Sequence, residues 1–76
     1  MTTIYIRLLE EGTEVFRPTS AEPLEGGLLK VLSTPDYDPE DERWEFVPGT
    51  VVKGEKRELD GEEVLIAVDV NRDKYA

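Results

Sequence analysis

An acidic segment in the middle of the chain holds the densest group of side chains that could bind a metal ion or a basic surface. It contains Asp36, Tyr37, Asp38, Glu40, Asp41 and Glu42. Alternating acids resemble the start of an EF-hand loop, but that loop needs Gly at its sixth position and Glu at its twelfth. Asp41 and Val47 occupy those positions here. A weak Ca²⁺ or Mg²⁺ site is one alternative, whereas we expect solvated charges with no bound metal and no cofactor.

The residue types that are missing exclude most catalytic chemistry. The 76 residues include no His and no Cys, which rules out a Ser-His-Asp triad, a Cys-His pair, an ordinary zinc site and a disulfide. Paired carboxylates can hydrolyse glycosides, but one of them needs a low-dielectric cleft that raises its pKa. Side chains fill the interior of a small β-barrel, so such a cleft has little room. We therefore expect a protein that is not an enzyme.

One basic cluster, Lys53–Arg57, raises the alternative of a nucleic-acid-binding strand. Glu55 and Glu58 interrupt this cluster, and a formal net charge of -9 makes contact with a phosphate backbone unfavourable. We expect its cations to pair across the following turn with Glu62 or Glu63. Nucleic acid is therefore not the expected partner.

Apolar and polar residues alternate with a period of two in several short runs, which is typical of β-strands. The predicted strands are Ile4–Leu9, Glu14–Pro18, Leu28–Leu32, Arg43–Val47, Thr50–Leu59 and Glu62–Val70. Pro18 and Pro23 predict an irregular edge after the second strand, because proline cannot donate to a central ladder. The prolines and acids of Ser33–Glu42 predict a loop, and Asp60-Gly61 is a strong type I′ hairpin signal.

Five or six short strands with a bend at Gly54 predict an all-β fold. Curling into a barrel buries one apolar face and shortens the open edges, so we expect a small antiparallel SH3-like or OB-like barrel. Residues 1–70 would form this single domain and residues 71–76 a polar C-terminal tail. We expect Phe16, Trp44 and Phe46 in its core.

Two stretches resemble a group of small bacterial proteins. The first is Ile4–Pro18, and the second is the block from Asp38 to Val52, which reads D-P-E-D-E-R-W-E-F-V-P-G-T-V-V. The resemblance covers about Ile4–Ala67, with Phe16 where that group often has Trp. The group has no established activity, so the resemblance implies a compact bacterial β domain and transfers no catalytic residues.

The balance of 18 acidic and 9 basic residues indicates a basic partner, because such a field steers cationic molecules. We expect a non-enzymatic domain that neutralises or docks onto a basic protein, as immunity proteins and antitoxins do. The acids of the middle segment would contact that protein, and Tyr37 would be the apolar anchor or else cover the barrel mouth. Alternatives are a phage-type mimic of nucleic-acid charge, an accessory or adaptor module, and acidity that serves solubility alone.

The chain contains no stretch of 18 apolar residues and no basic region followed by an apolar one near residue 1. We therefore expect no membrane partner and a cytoplasmic location.

Overall fold

The computed structural model describes residues 1–71, which form six β-strands, one short 3₁₀ helix and the loops that join them. In chain order these are β1 (Thr2–Leu9), β2 (Phe16–Pro23), β3 (Leu29–Val31), β4 (Arg43–Trp44), β5 (Val51–Leu59) and β6 (Glu62–Val68). A short 3₁₀ helix, Glu25–Gly27, joins β2 to β3. The predicted all-β fold is confirmed. Residues 72–76, most of the predicted polar tail, lie outside the described residues.

Five of the strands form a closed ring in the order β1, β2, β3, β5 and β6, and β6 pairs with β1 again. This arrangement confirms a small barrel, in which β4 adds to the edge of β1 beside Leu8 and Leu9. One pairing corrects the antiparallel prediction: β1 and β6 run parallel, with Tyr5 next to Ile66. Strand directions cannot alternate all the way around a ring of five, so one neighbouring pair must be parallel.

The core lies inside the ring and is built from the alternate residues of each strand. Ile4, Ile6 and Leu8 point inward from β1, as their period of two predicts. Ala21, Leu29, Val31, Trp44, Val52 and Ala67 complete the buried cluster. Trp44 is therefore a core residue as predicted, and Phe46 packs against the core while staying half-buried. Phe16 is half-buried and lies outside this cluster, so its predicted place in the core is wrong.

Strand β2 is longer than predicted, since it passes through Pro18 and ends at Pro23. The backbone N–H of Leu32 donates to the carbonyl of Ser20, which shows that Ser20 directs its backbone groups toward β3. By alternation Pro18 also faces that side, where the pairing with β3 has already ended at Ala21. Pro23 faces β1 beyond the end of that pairing. Neither missing N–H removes a ladder hydrogen bond, so the strand continues.

The hairpin between β5 and β6 forms at Asp60-Gly61. Both residues have positive φ, 49° and 84°, as a type I′ turn requires. Within residues 1–71 no helix is long and apolar enough to cross a membrane.

Candidate partner-binding site

Residues 33–42, called the acidic loop below, are irregular but held by hydrogen bonds within the loop. The Asp38 side-chain Oδ1 accepts from the amide of Glu40 at 2.9 Å. Its backbone carbonyl accepts from the amides of Asp41 and Glu42, both at 3.0 Å. The loop therefore presents its acids from a defined backbone.

Tyr37 turns back from the acidic loop onto the end of the barrel. Its ring packs against the core and meets Trp44 edge to face, with ring centroids 4.6 Å apart. Such aromatic pairs contribute stability beyond the area that they bury. The residue predicted as a partner anchor is thus half-buried and packed against the core.

Glu42 also points toward the barrel, where it joins the acidic loop to β2. Its carboxylate accepts from Arg17 through Nε, at 3.1 and 3.2 Å, and through Nη2. The indole N–H of Trp44 donates to the same carboxylate at 3.1 Å. Hydrogen bonds from Arg17, and to a lesser extent from Trp44, lower the pKa of Glu42. The positive charge of the Arg17 guanidinium lowers it further. The carboxylate of Glu42 is therefore already paired inside the domain. Its hydrogen bonds to Arg17 and Trp44 hold the end of the acidic loop against the barrel.

The other acids of the predicted site, Asp36, Asp38, Glu40 and Asp41, are exposed. The loop between β1 and β2 lies at the same end of the barrel, because β4 pairs with the end of β1 and Arg43 forms an ion pair with Glu10 at 2.9 Å. This second loop adds exposed acids. We call the combined surface the acidic end, and it consists of Glu10, Glu11, Glu14, Asp36, Asp38, Glu40 and Asp41.

The acids of the described part of the chain do not converge on a metal. Among residues 1–71, no three side chains of ligand type lie close enough together to hold an ion. The acidic end is therefore a surface of separate charges.

The basic cluster on β5 is arranged differently from the prediction. The Arg57 Nε donates to the Glu55 carboxylate on the same strand at 3.0 Å. Glu62 and Glu63 lie opposite Leu59 and Glu58, so neither stands directly across from a cation. The predicted ion pairs across the turn are thus replaced, for Arg57, by a pair along β5.

An open groove of about 650 Å³ on the outside of the barrel was missed by the sequence prediction. Its apolar lining includes Phe16, Phe46, Ile66 and Val68. Ile66 and Val68 are buried although they lie outside the main core cluster, to which Ala67 belongs. The signal was present in the apolar character of both faces of β6, which is unusual for a strand with one solvent-facing side.

Comparison of the chain with family models, curated proteins and solved structures found no match to any of them. The resemblance to small bacterial β domains therefore stays a prediction.

Proposed function

We propose that this domain binds a basic protein through its acidic end and so neutralises or docks that protein, in the manner of an immunity protein or antitoxin. It would act without catalysis, in the cytoplasm. The observation that supports this proposal most strongly is the pairing of β4 with β1, which brings the acids of two separate loops to one end of the barrel.

The charge of the acidic end is only weakly compensated by the chain itself. Neither of its two loops contains a Lys or an Arg. Arg43, which follows the acidic loop, pairs with Glu10, and Arg17 pairs with Glu42. A surface with such an excess of one sign accelerates encounter with an oppositely charged protein.

The acidic loop is also held in place before any partner arrives. Tyr37 packs on Trp44, and Glu42 bonds both Arg17 and Trp44, so the loop is joined to the barrel at two points. A preorganised loop loses less conformational entropy on binding than a mobile one. In this proposal Tyr37 and Glu42 position the loop, and the exposed acids meet the partner.

Binding kinetics of charge-reversed variants test the proposal. The immobilised domain would capture a partner from a lysate of its source organism, and the purified partner would then be measured by surface plasmon resonance. The double variant Asp36→Lys with Asp41→Lys removes exposed acids whose side chains make no hydrogen bond within residues 1–71. We expect its association rate at low salt to fall by about tenfold or more, since steering changes rates over that range.

The matched control is Glu25→Lys with Glu62→Lys, which changes the net charge equally at the opposite end of the barrel. We expect the control to bind almost as the parent does, and the difference between the two variants to shrink as salt rises. A partner whose affinity ignores both salt and the loop substitutions would overturn the proposal, and would direct attention to the Lys53–Arg57 strand.

A further inference from the structure

The groove lies where two chain segments that share one edge of β1 separate. β6 runs beside β1 at Tyr5, whereas β4 pairs with it at Leu8 and Leu9. Arg7 lies between these two contacts and lines the groove. The volume of the groove, about 650 Å³, falls within the usual range of ligand-binding sites.

The groove combines an apolar floor with a charged rim. The half-buried rings of Phe16 and Phe46 supply most of the accessible apolar surface, and the buried side chains of Ile66 and Val68 add the little that they leave exposed. Glu14, Glu45 and Asp69 stand on the rim, and all three are exposed. Arg7 and Arg57 also line it, but the charge of Arg57 is already met by Glu55. The rim therefore carries an excess of negative charge around an apolar floor.

We infer that the groove accepts an aromatic or large aliphatic side chain of a basic peptide segment, whose flanking Lys or Arg meets the rim carboxylates. This inference rests on the proposed function and assigns a second part of the same interface. Glu14 connects the two parts, since it belongs to the acidic end and also lines the groove.

A contact of this kind supplies what the acidic end lacks. Exposed charges mainly raise the association rate, whereas long residence needs a desolvated apolar contact. Tyr37 is engaged with Trp44 and the core, so it is poorly placed to serve as that contact. The groove offers an apolar surface to the partner's own side chain instead.

Peptide titration followed by NMR of the full ¹⁵N-labelled chain tests the inference. The probe is the capped peptide Lys-Arg-Phe-Lys-Lys, compared with Lys-Arg-Ser-Lys-Lys and with Glu-Asp-Phe-Glu-Glu. We expect the first peptide to shift the amide signals of Arg7, Phe46 and Val68. The serine peptide should bind roughly tenfold more weakly, because it buries no large apolar side chain. The acidic peptide should leave the groove signals unchanged.

Rim variants give the second arm of the test. Glu45→Lys with Asp69→Lys should weaken binding of the phenylalanine peptide by about tenfold, whereas Glu25→Lys with Glu62→Lys should change it little. Both pairs alter exposed residues and the same net charge. Equal affinity for the phenylalanine and serine peptides, or shifts confined to the acidic loop, would overturn the groove inference. Groove signals that move with protein concentration alone would overturn it in favour of a second copy of this chain.

The two proposals fail separately. If the rim variant leaves partner binding unchanged while the Asp36→Lys, Asp41→Lys variant slows association, the groove inference is wrong and the acidic end stands. If the loop variant also has no effect on the captured partner, the proposed function itself is wrong.

Discussion

The ring of Tyr37 stands edge-on to the indole of Trp44, with centroids 4.6 Å apart and planes inclined at 66°. Trp44 is only 3% exposed and belongs to the core, whereas Tyr37 lies within the acidic loop. The same contact therefore holds the acidic loop in its conformation and contributes to the stability of the barrel. Changes in the loop are expected to alter folding as well as binding.

Replacing Tyr37 by Ala should destabilise the domain. The substitution removes a half-buried ring that packs on Trp44 and the core, and the expected loss is about 2 kcal/mol of unfolding free energy. Urea unfolding followed by the fluorescence of Trp44, the one tryptophan in the chain, measures it.

Tyr37→Phe is the matched control, because it keeps the ring and removes only the hydroxyl. We expect its unfolding free energy to stay within about 0.5 kcal/mol of the parent. If Tyr37→Ala were as stable as the parent and yet weakened partner binding, the ring would be a partner anchor, and its structural role would be wrong.

The carboxylate of Glu42 should make stability depend on pH in the acid range. Hydrogen bonds from Arg17 and Trp44 lower its pKa in the folded state, so the unfolded chain binds this proton more readily. The contribution of Glu42 is then complete above its ordinary pKa of about 4.3 and is lost as the pH falls through the lower folded value. Because the ion pair is partly solvent-exposed, we expect about 1 kcal/mol.

Glu42→Gln isolates this contribution, since the amide oxygen can still accept from the indole N–H of Trp44. Urea unfolding of both proteins across a pH series gives the comparison. The parent should be more stable at neutral pH, and the difference should shrink below about pH 4. A difference that stayed constant down to the most acid sample would mean that the carboxylate charge is not the cause.

The local patterns predicted most of the fold, because strand alternation and turn chemistry act over a few residues. Ile4, Ile6 and Leu8 point inward as their spacing indicates, and Asp60-Gly61 makes the predicted turn. The predicted length of β2 was wrong, because the effect of a proline on a strand depends on which side of the strand its missing N–H faces. That side is set by the partner strands, which lie far away in sequence.

Long-range pairing also limited what could be predicted of the site. The composition of Ser33–Glu42 predicted a loop, and the structure has one there. Tyr37 and Glu42 turn toward the barrel because β4 pairs with β1. No local sequence pattern shows that these two side chains point inward while the neighbouring acids stay exposed. The groove likewise forms because β6 and β4 pair with the same edge of β1, which no local pattern predicts. The apolar residues on both faces of β6 indicated only that its outer face is covered.

The hairpin between β5 and β6 should depend strongly on Gly61. Its φ of 84° lies in the left-handed region, where a Cβ is unfavourable. Gly61→Ala should therefore lower the unfolding free energy by about 1–2 kcal/mol. Gly12→Ala is the control, since Gly12 has no positive φ and a Cβ there meets nothing within 4 Å. Equal stability of the two variants in urea would show that the turn does not need this conformation.

Gly54 of β5 is exposed, but the ends of two leucine side chains lie close to it on one side. A Cβ at this position would lie 3.3 Å from Leu29 Cδ1 and 3.4 Å from Leu65 Cδ2. The larger side chain of Gly54→Val would have to displace both leucines, so we expect a loss of about 1–3 kcal/mol of unfolding free energy. Gly12→Val, in the open loop between β1 and β2, should change it by about 0.5 kcal/mol or less. Thermal and urea unfolding of both variants measure the difference. If Gly54→Val were as stable as Gly12→Val, the barrel would have room for a side chain at this point. Gly54 would then not be required for Leu29 and Leu65 to approach β5.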